Sequence, residues 1–374
     1  MALARLRPSL PSARPPAREG AGVRSGLMPR GARRPRIVAI GGGTGLPVLL
    51  RGLRAALFPA PSRPLPYRED DLLTALVTVA DDGGSSGRLR GAYGILAPGD
   101  IRNCLVALTE NAQRAAMFDF RFEGGDGLAG HSLGNLILAA LSRLEDRFPA
   151  AVDRAAELLG IHGRVLPATG ADVRLRAELA DGRQVDGESL IAAARGRIRR
   201  LRLVPDEAPA LPEAQRAIAA ADLVVIGPGS LYTSLIPVLL ARGITEEITR
   251  SRARVVLVMN LMTEPGETDD MTAADHVRAL LRHAPGLPVH DVILTARPIP
   301  SHLLETYAAC GARPVVPDLA SLRALGCRPV PRQLLAVGNK IRHDPDRLAA
   351  AVLRVAAQHG ARRRIEEPAG QILA

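Results

Sequence analysis

Five short runs of four to eight apolar, largely β-branched residues constrain this chain more than any other feature: 37–40 (IVAI), about 72–79 (LLTALVTV), 222–226 (DLVVI), 254–259 (RVVLVM) and 291–295 (DVILT). They lack the apolar–polar alternation of a half-exposed strand, so each is expected to be covered on both faces, as parallel strands between two layers of helix are. Helical periodicity fills the intervals, at about 46–57, 101–113, 132–146, 149–159, 231–241, 273–284 and 345–358. The alternating order predicts an α/β fold, a Rossmann-like doubly wound and mostly parallel sheet.

Two stretches interrupt that order. Residues 58–70 (FPAPSRPLPYRED) carry four prolines and read as a surface insertion. Residues 164–187 alternate apolar and polar side chains, with Asp181-Gly182 as a hairpin turn, and continue into RIRRLRLVP at 197–205. They predict a small antiparallel β subdomain, about 164–205, set into a single α/β domain of residues 37–360. Ahead of that domain lies an Arg/Pro-rich leader, 1–36, expected to be disordered, with Met28 as an alternative start. Behind it lies a basic then acidic tail, 361–374.

The charge narrows the function. The formal net charge is +11, but the leader alone holds nine arginines against Glu19, which leaves +3 for the remaining 338 residues. A nearly balanced body with nine Phe and Tyr and no Trp offers little for base stacking, so nucleic acid is not expected as a partner. No apolar run approaches the roughly 20 residues of a membrane span. Three widely spaced cysteines, Cys104, Cys310 and Cys327, fit a reducing cytoplasm better than a disulfide framework.

In open α/β sheets ligands bind beyond the carboxyl ends of the strands, where strand order reverses. The first strand runs into Gly41, Gly42, Gly43, Thr44 and Gly45, whose glycines let backbone approach a ligand as a helix opens toward it. Leu46 stands where a dinucleotide fingerprint would need glycine, which argues against an NAD-dependent oxidoreductase. After the second strand come Asp81 and Asp82, suited to ribose hydroxyls or a magnesium ion, then Gly83, Gly84, Ser85 and Ser86, with Arg88 and Arg90 suited to phosphate. Asp100 is placed to cap a helix from Ile101, with Arg102 and Asn103 projecting toward the same crevice. His131 and Asn135, four apart, share a helix face. Gly227, Gly229, Ser230, Tyr232 and Thr233 repeat the opening logic of strand, glycine turn and helix. Asn260, Thr263 and Glu264 follow the next strand at the same edge.

Taken in order, GGGTGL, VADDGGSSGRLR, PGDIRNCLVAL, GHSLGNL, GRVLP, GPGSLYTS, NLMTEPGETD and RHD (342–344) resemble the gluconeogenesis-factor family, YvcK-type proteins of the CofD-like superfamily, over about 37–358. The resemblance implies a cytoplasmic regulatory factor that binds a nucleotide sugar such as UDP-N-acetylglucosamine. It also implies a role in cell shape and cell-wall precursor balance on gluconeogenic carbon sources, with cell-wall synthesis regulators as candidate partners. The matching positions are residues 41–45, Asp81 to Arg88, Asp100 to Asn103, Gly227 to Ser230, and Arg342. Enzymatic cousins transfer a 2-phospho-L-lactyl group from a guanosine diphosphate ester with magnesium. The GGSSGRLR stretch follows the regulatory pattern rather than theirs, and transfer chemistry is the alternative. Pro345 stands where some relatives carry a hydroxyl, so phosphorylation there is excluded. A homodimer would be unsurprising.

Overall fold

The computed structural model describes residues 33–59, 70–125 and 127–366, the last five of them by backbone alone. The leader up to residue 32, residues 60–69 of the Pro-rich insertion and the end of the tail lie outside the described residues. Ten strands form. Three come first, β1 (Ile37–Gly41), β2 (Leu73–Val77) and β3 (Arg164–Pro167), then β4 (Arg174–Leu179), β5 (Gln184–Asp186) and β6 (Ile198–Val204). The last four are β7 (Leu223–Ile226), β8 (Arg254–Val258), β9 (Asp291–Thr295) and β10 (Arg328–Arg332). The main sheet is wholly parallel, in the order β10-β9-β8-β7-β1-β2-β3, and β5-β4-β6 make a separate antiparallel sheet.

The helices are α1 (Gly45–Leu57), α2 (Gly84–Tyr93), α3 (Gly99–Leu108), α4 (Ala112–Asp119), α5 (Leu133–Leu144), α6 (Phe148–Leu159) and α7 (Glu188–Ala194). They continue with α8 (Pro212–Ala219), α9 (Ile236–Leu240), α10 (Ile244–Arg250), α11 (Ala273–His283), α12 (Ser301–Ala308), α13 (Leu319–Ala324) and α14 (Pro345–Glu366). Every residue of β1, β2 and β7 is buried, as their two-sided apolar character requires. In α1, Leu46, Leu49, Leu50, Leu53 and Leu57 fall on one face and are all buried, while α3 and α14 pack beside it. Gly52, an isolated glycine in that helix, has a packing reason: a methyl there would run into the backbone carbonyl of Pro345 at the start of α14.

Two strands differ from the sequence reading. The antiparallel pairing expected from residue 164 begins only at Arg174, because Arg164–Pro167 joins the main sheet parallel to β2. β10 (RPVPR) was not anticipated, since two prolines argue against a strand. It survives as an edge strand, where missing N–H groups cost no pairing on the outer side.

At the amino end of the sheet Asp291 is fully buried and accepts from Arg254 Nε (2.7 Å) and Nη2 (3.1 Å) and from Arg328 Nε (2.5 Å). Burial alone would raise its carboxyl pKa, but the two arginines outweigh it and hold the group below its ordinary value. One carboxylate thus ties together the first residues of β8, β9 and β10.

The antiparallel insertion is fastened to the body through His283, whose Nε2 accepts the Leu201 backbone N–H (2.9 Å) while Nδ1 lies 2.8 Å from the Ala279 carbonyl. Only the neutral ring can accept at Nε2. Burial, ahead of the charges of Arg282 and Arg200, lowers its pKa. A histidine with a depressed folded pKa contributes stability above the unfolded value, about 6.5, and loses it as pH falls through the folded one. His276, His290 and His343 shift in the same direction. The His283 share is therefore read as a difference: in urea titrations between neutral and mildly acidic pH, His283→Gln should lose less stability on acidification than the parent chain.

Candidate functional site

Strand order reverses between β1 and β7: from β1 the chain steps outward through β2 and β3, and from β7 it steps the other way through β8 to β10. Both glycine segments lie at that switch point. Residues 41–45 leave β1 with φ +62° at Gly43, a left-handed conformation that favours glycine. Gly227 leaves β7 at φ +78°. The two segments touch: a methyl on Gly45 would stand 2.5 Å from the Pro228 carbonyl oxygen, and one on Gly229 would stand 3.4 Å from the Gly42 carbonyl oxygen. Asn260 pins the second segment by donating to the Gly229 carbonyl (2.9 Å) and accepting the Gly229 N–H (3.2 Å).

The two segments differ in what they leave free. Gly227 N–H is taken by the Ile40 carbonyl (2.9 Å) and Gly229 N–H by Asn260. Past them Ser230 hydrogen-bonds Glu264, while the Thr233 hydroxyl and the N–H groups of Tyr232 and Thr233 bond Glu267, capping a π-helical turn at Leu231–Leu235. Burial, ahead of the Glu264 charge, pushes Glu267 up to about 7. Tyr232 is buried edge-on against His283, with ring centroids 5.9 Å apart. The second segment therefore presents Pro228 with the amides of Gly227 and Gly229 on either side already engaged. Thr263, expected at the exposed edge, is buried and paired with Arg313.

In the first segment the Gly43 N–H is engaged, but the opening of α1 carries no side-chain cap. Thr44 makes no side-chain cap on α1, so the first-turn amides have no side-chain acceptor, and no acidic residue occupies that turn. Asp100 lies beneath: it accepts the Gly43 N–H, and burial raises its carboxyl to about 6, with the Asp81 charge adding and Arg102 opposing. It is not the helix cap expected, because α3 begins two residues earlier with Pro98 at the N-cap.

The glycine-serine stretch after β2 is the opening of α2, not a loop. It holds its helical form because its hydroxyls are engaged: Ser86 accepts the Gly99 N–H (3.2 Å), and Ser85 accepts from Asn135 Nδ2 (3.0 Å) and lies 2.9 Å from His131 Nδ1. Burial, then Arg88 and Arg121, lower the His131 pKa, so the neutral ring is there to accept the Ser85 proton. All three side chains are buried, and Ser132 caps α5 by accepting the Asn135 N–H (3.3 Å). Gly83 ends the turn that Asp81 Oδ1 closes by accepting its N–H (2.8 Å), and Gly84 takes φ +46°. Arg88 is exposed and gives one N–H to the Ala129 carbonyl (2.7 Å), which leaves others for an anion.

Arg90 and Arg102 turn elsewhere. Arg90 is buried against Asp172 and the Val173 carbonyl, and Arg102 is buried against Asp119 and Asn103 Oδ1 (2.6 Å). Arg342 is exposed. Its neighbour His343 donates to the Met259 carbonyl at the end of β8, which sets the arginine at the carboxyl edge of the sheet. Burial lowers His343 to about 4.

Asp82 does not fit the magnesium role expected of it. Asp82 Oδ2 accepts the Glu188 N–H (3.0 Å), and Oδ1 accepts the Ser189 N–H (3.0 Å) and hydroxyl (2.9 Å), so this carboxylate anchors α7. Asp81 hydrogen-bonds Glu188, whose carboxyl is pushed up to about 9 by burial and the charges of Asp81 and Asp100, so it carries a proton at neutral pH. Among the described residues no three His, Cys, Asp or Glu side chains gather as a metal-binding group. Sequence reasoning missed Glu188, which the insertion brings in from more than a hundred residues downstream.

A parallel α/β sheet with glycine turns and the uncapped start of a helix at its switch point defines an open-sheet α/β protein whose crevice lies beyond the carboxyl ends of its strands. The family profile of 2-phospho-L-lactate transferase CofD matches residues 37–335. A putative gluconeogenesis factor of Nostoc sp. is 46% identical over 334 residues, 88% of this chain and 70% of that protein. The gluconeogenesis factor of Bacillus subtilis is 44% identical over 323 residues, 86% of this chain and 98% of that protein. A crystal structure of a Bacillus halodurans protein superposes with a TM-score of 0.80 at 42% identity, covering 86% of this chain and all of that one. This chain belongs to the gluconeogenesis-factor family, within the CofD-like superfamily.

Proposed function

We propose that this protein is a cytoplasmic regulatory factor that binds a nucleotide sugar of the UDP-N-acetylglucosamine kind. In this reading it balances cell-wall precursors and cell shape during growth on gluconeogenic carbon sources, through regulators of cell-wall synthesis. The observation that carries the reading is the meeting of the two glycine segments at the switch point, with the uncapped start of α1 between them. The diphosphate would lie against the amides that open α1 and be neutralised by Arg88 and Arg342. Pro228 and Gly229 would close the far side. No described helix is long and apolar enough to cross a membrane.

Calorimetric titration with UDP-N-acetylglucosamine, with and without magnesium, tests this. Saturable binding with the ligand recovered intact is expected, and its affinity should not need magnesium, because Asp82 is engaged by α7. A charge-assisted arginine–phosphate contact contributes roughly 1.5–3 kcal/mol, so Arg342→Ala should weaken binding by about tenfold to a hundredfold. An unchanged affinity would remove Arg342 from the site. The match to the transferase profile favours a second reading, phospholactyl transfer from a nucleoside diphosphate ester. That reading requires nucleotide release that depends on an alcohol acceptor.

A further inference from the structure

The outward face of the antiparallel insertion takes no part in the site. β4 and β6 alternate: Leu175, Ala177, Leu179, Leu201 and Leu203 are buried, whereas Arg174, Arg176, Arg200 and Arg202 are exposed. The register sets Arg176 opposite Arg202. Like charges directly opposite one another weaken a sheet, and here each arginine is offset by an acid, Asp186 for Arg176 and Asp206 for Arg202. The acids on the face are already engaged. Asp186 accepts from Arg176 Nε (2.5 Å) and Nη2 (3.0 Å), Glu178 accepts from Arg199 (2.9 Å), and Asp206 lies 3.8 Å from Arg202. Among the described residues no hydrogen bond or ion pair engages the side chain of Arg174 or Arg200. A concavity of about 210 Å³ opens on this face, lined by Arg176, Arg200 and Arg202 together with Glu178, Asp206, Gln184 and Val204.

We infer that this arginine face is a docking surface for an acidic segment of a partner protein, bound as an extended chain. Arginines two residues apart on one strand project about 7 Å apart, the spacing at which an extended chain presents every second side chain. Guanidinium groups match carboxylates in a fixed fork, and an unpaired arginine has its full set of donors to give. No Phe, Tyr or Trp occurs in residues 174–206 to stack a base, which favours a protein over a nucleic acid. The same insertion is tied to the ligand crevice through α7 and Asp82, so the partner would sit on the element that reaches the site.

The test uses the full chain and a fluorescein-labelled peptide alternating glutamate and serine, followed by anisotropy at low and moderate salt. The parent chain should bind this peptide in a salt-sensitive way. The double variant Arg174→Ser/Arg200→Ser should bind it about tenfold or more weakly, with its unfolding midpoint and nucleotide-sugar affinity unchanged. Unchanged peptide affinity in the double variant overturns the proposal, because binding would then belong to the nine arginines of residues 1–36. Two other results also overturn it: self-association of the parent chain, or binding of a single-stranded oligonucleotide, that the double substitution abolishes while peptide binding survives.

Discussion

Gly45→Ala is expected to lower the affinity for a nucleotide sugar on the order of a hundredfold. The backbone at Gly45 is not left-handed, so alanine is excluded by space alone. Its methyl would stand 2.5 Å from the Pro228 carbonyl oxygen and 2.7 Å from the carbonyl carbon. That carbonyl cannot swing aside easily, because Gly229 next to it is fixed by two hydrogen bonds to Asn260. The segments must part instead, and displacements of roughly 1 Å at a positioned group can reduce function about a hundredfold. Crowding of this kind also costs about 1–3 kcal/mol of stability. Calorimetry and a thermal melt check both. Gly91→Ala is the control: it lies in α2 with nothing within 4 Å of the added methyl, and it should leave binding unchanged while stabilising the chain slightly. Wild-type affinity in Gly45→Ala would show that the ligand is not held where the two segments meet.

Asp291→Ala should have the opposite profile, a large loss of stability with binding preserved. Removing one member of a buried ionic cluster typically costs about 3–5 kcal/mol, because the partners keep their desolvation cost and lose their compensation. Here two guanidinium groups, those of Arg254 and Arg328, would be left facing each other across the vacated site. Urea unfolding should show the midpoint falling with the slope unchanged. The clamp sits on the first residue of β9, at the end of the sheet away from the crevice, so the affinity of the remaining folded protein should not change. A stability loss below about 1 kcal/mol would mean that the two arginines find solvent or other acceptors when the carboxylate is gone.

The central strands were legible because burial on both faces leaves an unbroken apolar run, and a glycine segment after such a run marks where backbone must turn tightly. The edge strands were not. β3 is too short to show a period, and the prolines of β10 argue against a strand unless its edge position is known. The start of α2 shows no helical signal in the sequence because glycine and serine are poor helix formers. It is held by Ser85 and Ser86, whose partners come from α5 and α3. Asp100 was expected to cap its own helix and instead supports Gly43, and Arg90, Arg102 and Tyr232 fasten neighbouring elements rather than face a ligand. Residue type placed these groups in the right neighbourhood. The direction each side chain takes depends on partners far away in the chain, as with Asp82 and Glu188.

The position of β1 has a consequence for biosynthesis. It is a central strand, but its two neighbours arrive at very different times. β2 follows within a few dozen residues, whereas Leu223, the partner of Ile37 on the other side, lies 186 residues downstream. At translation rates of roughly 5–20 residues per second, one flank of β1 stays unpaired for about 10–40 s while the insertion and α8 are made. An apolar strand with an open edge is a template for wrong pairing during that interval. That edge is closed only when β7 arrives, and the glycine turns cannot meet before then.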